Sequence, residues 1–238
     1  DFEHLEGIID KKTKLLAFCN PHNPTGRCFS RAELNMLATI CNRNNLLVVS
    51  DEIHADLVLE ENGHTPLASL SDEIASRTTP LMSASKSFNI AGLCMAFAHF
   101  GSDDLKARFG RTPSHALGGT NALSIAAVKA AWTESDDWLD SVKRQLSANR
   151  KSVLDFSVNN WPDVVFFPPE GTYLAWFDMR DFEFRDNPRE HFLKHGRVAL
   201  NDGADFGTEG KGFVRMNFAT SSEILNSILE RMDKALRF

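Results

Sequence analysis

Short, unbroken apolar runs alternate along the first half of the chain with segments whose apolar residues recur every three or four positions. Residues 15–18 (Leu-Leu-Ala-Phe) form one such run, which stops at Asn20-Pro21, and residues 46–49 (Leu-Leu-Val-Val) form a second. Strands of a parallel sheet are covered on both faces, so they read as continuous apolar runs rather than alternating ones. Between the two, Ser30 and Glu33 stand three apart, the spacing of a capping box. They open a helix with Leu34, Leu37, Ala38 and Cys41 on one face, which Asn44-Asn45 closes. Further strands are expected at 81–84 and 93–100, and helices near 102–109, 119–132 and 135–158. The last of these carries Leu139, Val142, Leu146 and Val153 at helical spacing and ends at Trp161-Pro162. This alternation predicts an α/β fold with a mostly parallel sheet.

Past residue 160 the pattern changes. Short strands are expected at 164–167, 172–177, 198–200 and 213–218, with helices near 188–195 and 222–237. This is the pattern of a smaller α+β unit, so the chain divides into a larger domain over 1–137 and a carboxyl-terminal small domain over 138–238, with the 135–158 helix as the joint. The opening Asp1-Phe2-Glu3 lacks an initiator Met and reads as the middle of a longer protein.

Charge narrows the range of partners. A formal charge of −6, with acidic and basic residues interspersed, argues against nucleic acid and anionic membrane, both of which reward clustered Lys and Arg. No apolar run approaches the ~18 residues that a membrane helix needs. Cys19, Cys28, Cys41 and Cys94 show no CxxC spacing, which points to reduced thiols in the cytoplasm and to no metal site. The stretch 207–212 (Gly-Thr-Glu-Gly-Lys-Gly) follows no strand and lacks the spacing of a phosphate loop, so it reads as an ordinary loop.

Candidate chemistry lies just after the expected strands, where open parallel sheets bind ligands. Three segments stand there: Asn20-Pro21-His22-Asn23-Pro24-Thr25-Gly26, Ser50-Asp51-Glu52-Ile53-His54, and Ser83-Ala84-Ser85-Lys86-Ser87-Phe88. Taken singly, the first is turn chemistry, Asp51 a helix cap and Lys86 a solvated surface lysine. Together they supply a carboxylate and an amine, the two protein groups that pyridoxal 5′-phosphate chemistry requires. The amine forms a Schiff base with the cofactor aldehyde, and the carboxylate keeps the pyridine nitrogen protonated.

In this order of motifs the chain resembles the fold-type-I pyridoxal-phosphate enzymes, the aspartate aminotransferase superfamily, along essentially its whole length. That resemblance implies a large cofactor-binding α/β domain followed by a small α+β domain. It implies Lys86 as the Schiff-base and catalytic lysine, Asp51 at the pyridine nitrogen and Asn23 at the cofactor's 3′-oxygen. Ser83 and Ser85 stand where phosphate-binding hydroxyls are found, and His54 where many members carry a tyrosine near the 3′-oxygen. Phe213-Val214-Arg215-Met216-Asn217-Phe218 resembles the strand whose arginine grips the substrate α-carboxylate, a task for which a planar guanidinium is suited.

Other stretches resemble the MalY/PatB-type branch, the cystathionine β-lyases and cysteine desulfhydrases. They include His64-Thr65-Pro66-Leu67, Pro169-Glu170-Gly171-Thr172-Tyr173 and Val198-Ala199-Leu200-Asn201-Asp202-Gly203. There are two departures. Cys94 stands where many aminotransferases carry a phosphate-binding arginine, as in the lyase-like branch, and Ala219-Thr220-Ser221-Ser222 replaces that branch's Pro-Arg-Ser. The resemblance implies a homodimeric carbon–sulfur β-lyase that cleaves cystathionine- or cysteine-type amino acids to a thiol, pyruvate and ammonia. An aminotransferase would use the same residues. A catalytically incompetent fragment that survives as a binding module is the alternative of another class. The resemblance also implies that the family's phosphate-binding loop and ring-stacking aromatic residue precede Asp1.

Overall fold

The computed structural model describes residues 1–60, 63–116 and 118–238. They form two compact units: Asp1–Pro21 with Cys28–Leu139, and His22–Arg27 with Asp140–Phe238.

In the first unit, α1 (Phe2–Ile8) precedes β1 (Leu15–Cys19), followed by α2 (Arg31–Arg43) and β2 (Leu47–Asp51). The expected capping box of α2 is formed: Ser30 Oγ accepts from Glu33 N at 3.3 Å, and Glu33 Oε2 accepts from Ser30 N at 2.9 Å. Asn44 caps the other end, and Asn45 turns the chain at φ 53. Next come α3 (Asp72–Ser76), β3 (Thr78–Met82), α4 (Ala84–Ser87), β4 (Phe97–Ala98), α5 (Asp103–Phe109) and α6 (Ala122–Glu134).

Among the described residues the strands pair in the order β1-β2-β3-β4. The first three run parallel and β4 antiparallel, so the sheet is mostly parallel. Phe18, Leu34, Leu37, Ala38, Cys41, Leu46, Val48, Leu67 and Ile74 pack as one core cluster, in which the apolar face of α2 meets β1 and β2.

Two strands differ from expectation. β3 starts three residues earlier than 81, at Thr78, and runs through Pro80, a residue that argues against a strand. Pro80 is tolerated because its carbonyl accepts from His99 N toward β4, so its missing N–H falls on the side where pairing is only two residues long. The strand expected at 93–100 shrinks to β4, because residues 91–93 form a 3-10 turn and Cys94 adopts a left-handed φ of 50.

In the second unit, α7 (Asp136–Asn160, its residues from Asp140 onward) is followed by β5 (Val165–Phe166), β6 (Leu174–Asp178), α8 (Pro188–His191), β7 (Asn201–Asp202), β8 (Phe213–Asn217) and α9 (Ser222–Leu236). The strands form an antiparallel sheet in the order β5-β6-β8-β7. Phe177, Phe192, Phe218, Leu225, Leu229 and Met232 are fully buried in this unit. The strand expected at 198–200 forms at 201–202 instead; Val198 and Leu200 are buried, but Arg197 at φ 52 has only just closed the helical segment before them.

Candidate functional site

In the first unit, Asp51 is the last residue of β2 and Lys86 the third of α4, which follows β3 after a single residue. Because β2 and β3 are parallel neighbours with Asp51 opposite Leu81, carboxylate and amine both emerge at the carboxyl end of the sheet. Asp51 Oδ1 accepts from Ile53 N at 3.2 Å. Among the described residues no hydrogen bond or ion pair engages Asp51 Oδ2 or Lys86 Nζ, and both residues are half-buried. An amine and a carboxylate oxygen left open at a strand-end rim fit the aldehyde and the ring nitrogen of pyridoxal 5′-phosphate.

The neighbouring side chains brace this rim. Ser87 Oγ donates to Asp56 Oδ2 at 2.8 Å, tying α4 to the turn that follows β2. Ser83 caps α4, accepting from Ser85 N at 3.1 Å, and lies 2.6 Å from Met95 O. A hydroxyl has one proton, so with Ser83 donating to Met95 the 2.8 Å contact between the two hydroxyls is Ser85 donating to Ser83. Ser85 is half-buried and Ser83 buried. His54 is 2% exposed and begins the 3-10 turn at 55–57. Cys94 is exposed, at the left-handed end of the turn over 91–93.

In the second unit, Arg215 lies in the middle of β8. Its Nη1 donates to Asn23 Oδ1 at 2.6 Å and its Nη2 to Asn201 Oδ1 at 2.9 Å, and its Cζ stands 4.5 Å over the Phe206 ring. Its Nε is buried without an acceptor, and among the described residues no carboxylate pairs with it. Burial makes the guanidinium somewhat less willing to hold its proton, with nearby Tyr173 acting the other way. Burial likewise pushes the Tyr173 phenol up, against the pull of Arg215. A cation whose hydrogen bonds go to neutral amide oxygens has no anionic partner, so a small carboxylate is the complement it lacks.

The Arg215 bond also sets the Asn23 amide. With Oδ1 turned to the guanidinium, Nδ2 is left as the donor, which fits a phenolic oxygen acceptor. The turn bearing Asn23 is fixed by Gly26, at φ 71: a Cβ there would lie 2.2 Å from Pro169 Cβ. Gly171 N donates to Gly26 O at 2.9 Å.

Sequence reasoning passed over several members of these clusters. The sequence motifs give no role to Glu52, His64, Tyr173 or Phe206. What could have exposed Glu52 is its place one residue past an apolar strand, where a carboxylate needs a partner. Nothing in the sequence pairs it with a histidine twelve positions away.

The family model for aminotransferase class I and II matches residues 1–232. Cystathionine beta-lyase PatB of Bacillus subtilis is 39% identical over 240 residues, covering 99% of this chain and 62% of that protein. A putative cystathionine beta-lyase of Mycobacterium leprae is 41% identical over 231 residues, covering 92% and 57%. The crystal structure of cystalysin from Treponema denticola, which contains pyridoxal 5′-phosphate, superposes with a TM-score of 0.95 at 34% identity, covering 100% of this chain and 61% of that one. The chain therefore spans about three fifths of the length of these relatives.

Proposed function

The chain belongs to the class I and II aminotransferase family, and on that premise we propose that it is the catalytic part of a pyridoxal-phosphate-dependent carbon–sulfur β-lyase acting on cystathionine- or cysteine-type amino acids. The observation that carries this reading is Asp51 and Lys86 at the carboxyl ends of adjacent parallel strands, each with an open polar atom. Relatives named as cystathionine beta-lyases favour the lyase outcome. Residues 1–137 are read as part of the cofactor-binding domain and 138–238 as the small domain, in a cytoplasmic homodimer. Among the described residues no helix is long and apolar enough to cross a membrane.

Bound here, the cofactor would supply an electron sink for the bond broken at the substrate α-carbon. Lys86 Nζ would hold its aldehyde carbon, Asp51 its ring nitrogen, and Asn23 Nδ2 its 3′-oxygen. Ser85, Ser83 and His54 would line the phosphate and 3′-oxygen ends. Arg215 takes the substrate carboxylate as a two-pronged donor, fixing the direction of the Cα–H bond. Lys86 Nζ would take the substrate Cα proton as general base. A thiolate on the substrate's β-carbon then leaves, and hydrolysis of the remainder gives pyruvate and ammonia. Without a leaving group, the same residues serve amino transfer.

The test is a visible absorbance spectrum of the protein with added pyridoxal 5′-phosphate, followed by addition of cystathionine. A visible band that Lys86→Ala abolishes, together with pyruvate release, is the expected result. Transfer that depends on an oxo acid, without pyruvate, would assign it to the aminotransferases instead. A parent protein with no band would overturn the enzyme reading and favour the binding-module alternative. Arg215→Lys should raise KM about tenfold or more with a smaller change in kcat, because lysine cannot form the fork; an unchanged KM would remove Arg215 from substrate binding.

A further inference from the structure

A second carboxylate is buried directly after Asp51, and the chemistry above makes no use of it. The Glu52 side chain is 5% exposed and that of His64 9%. Glu52 Oε2 accepts from His64 Nε2 at 2.9 Å, and Oε1 accepts from Ser50 Oγ at 2.8 Å; Ser50 is fully buried. The main chain of Glu52 is held as firmly. Its N–H donates to Leu81 O at 3.0 Å, one step beyond Asp51, and its carbonyl accepts from Ala55 N at 2.9 Å.

Side chains alternate across a strand, so Ser50 and Glu52 point to the face opposite Asp51. Among the described residues the Asp51 side chain has one internal hydrogen bond, the 3.2 Å contact from Ile53 N. Its aim therefore depends on the peptides at 50–53, and these are what the buried cluster clamps. A carboxylate is costly to bury unless its oxygens meet donors, and one partner lost leaves the charge uncompensated. The cluster is thus a stiff support whose failure would be felt first at Asp51.

Resting on the cofactor reading above, we propose that Glu52, braced by His64 and Ser50, is a positioning residue that aims the Asp51 carboxylate at the cofactor's ring nitrogen. It touches neither cofactor nor substrate and acts through the backbone of its neighbour, as outer partners orient the ligands of a metal.

The experiment uses ring-¹⁵N-labelled pyridoxal 5′-phosphate bound to the parent protein, Glu52→Ala, His64→Phe, His64→Gln and Asp51→Asn. It reads the ring-nitrogen chemical shift, the cofactor affinity and the melting temperature without cofactor. Glu52→Ala and His64→Phe should move the ring-nitrogen signal toward that of Asp51→Asn and weaken cofactor binding about tenfold. His64→Gln, which restores a donor to Glu52, should keep the parent signal. Should Glu52→Ala or His64→Phe not fold, Ser50→Ala carries the same test, with a smaller displacement in the same direction. Parent-like signal and affinity in these variants, even with a lower melting temperature, would overturn the proposal, since that pattern is a purely structural role. The same loss in His64→Gln as in His64→Phe would also overturn it. A parent protein that binds no labelled cofactor overturns both this proposal and the reading on which it rests, whereas the preceding outcomes overturn this one alone.

Discussion

Cys41 and Cys94 are two thiols with opposite surroundings. Cys41 is fully buried in the first core, and burial pushes its thiol up to about 11, with Arg77 acting weakly the other way. Cys94 is exposed at a left-handed turn. The thiolate is the reactive form, so at pH 8 iodoacetamide should label Cys94 quickly and Cys41 only after unfolding, as read by peptide mass spectrometry. Native Cys41 labelled as fast as Cys94 would show the core to be open. Linkage gives the sign for stability. A folded-state value above the ordinary 9.0 means that the Cys41 contribution is intact below about pH 9 and is lost as pH climbs toward about 11. At this scale the sequence was legible where chemistry is local: Asp51 and Lys86 stand just past apolar runs. It did not show that Arg215 bonds Asn23, 192 positions away, or that Glu52 pairs with His64, because hydrogen bonds between distant segments leave no periodic trace.

Elements were readable to the extent that their signals are local. The capping box of α2 and the amphipathic pattern of α9 use contacts three or four residues apart, and both helices form near the expected bounds. β3 and β4 departed from expectation because strand limits depend on partners: Pro80 fits only because β4 is short, and β4 is short because of the turn before it. Two substitutions separate local from long-range control. Ser30→Ala removes one hydrogen bond of the capping box and should cost about 1 kcal/mol in urea unfolding. Gly26→Ala puts a Cβ 2.2 Å from Pro169 at a φ of 71, so it should cost more, about 1–3 kcal/mol, and displace Asn23. Equal costs for the two would show that the 22–27 turn adapts to a side chain.

Over the whole molecule, two units each bury their own apolar residues, one around α2 and the parallel sheet, the other around α9 and the antiparallel sheet. Leu34→Ala in the first should cost about 2–5 kcal/mol, measured by urea denaturation, because a fully buried leucine leaves a cavity; a loss below about 1 kcal/mol would mean that the surroundings collapse into the space. The sequence by itself determined the α/β class, the order of most elements and the residues that stand at strand ends, because hydrophobic period, caps and turn residues act over a few positions. Only the tertiary structure decided that residues 22–27 group with a unit that begins more than a hundred positions later. It also decided that Arg215 meets two amide oxygens and an aromatic ring but, among the described residues, no carboxylate, and that a buried Glu52–His64 pair lies behind Asp51. The physical reason is the same in each case. Burial and hydrogen bonding between segments far apart in the chain are fixed by packing, and packing is a property of the folded whole rather than of any window of sequence.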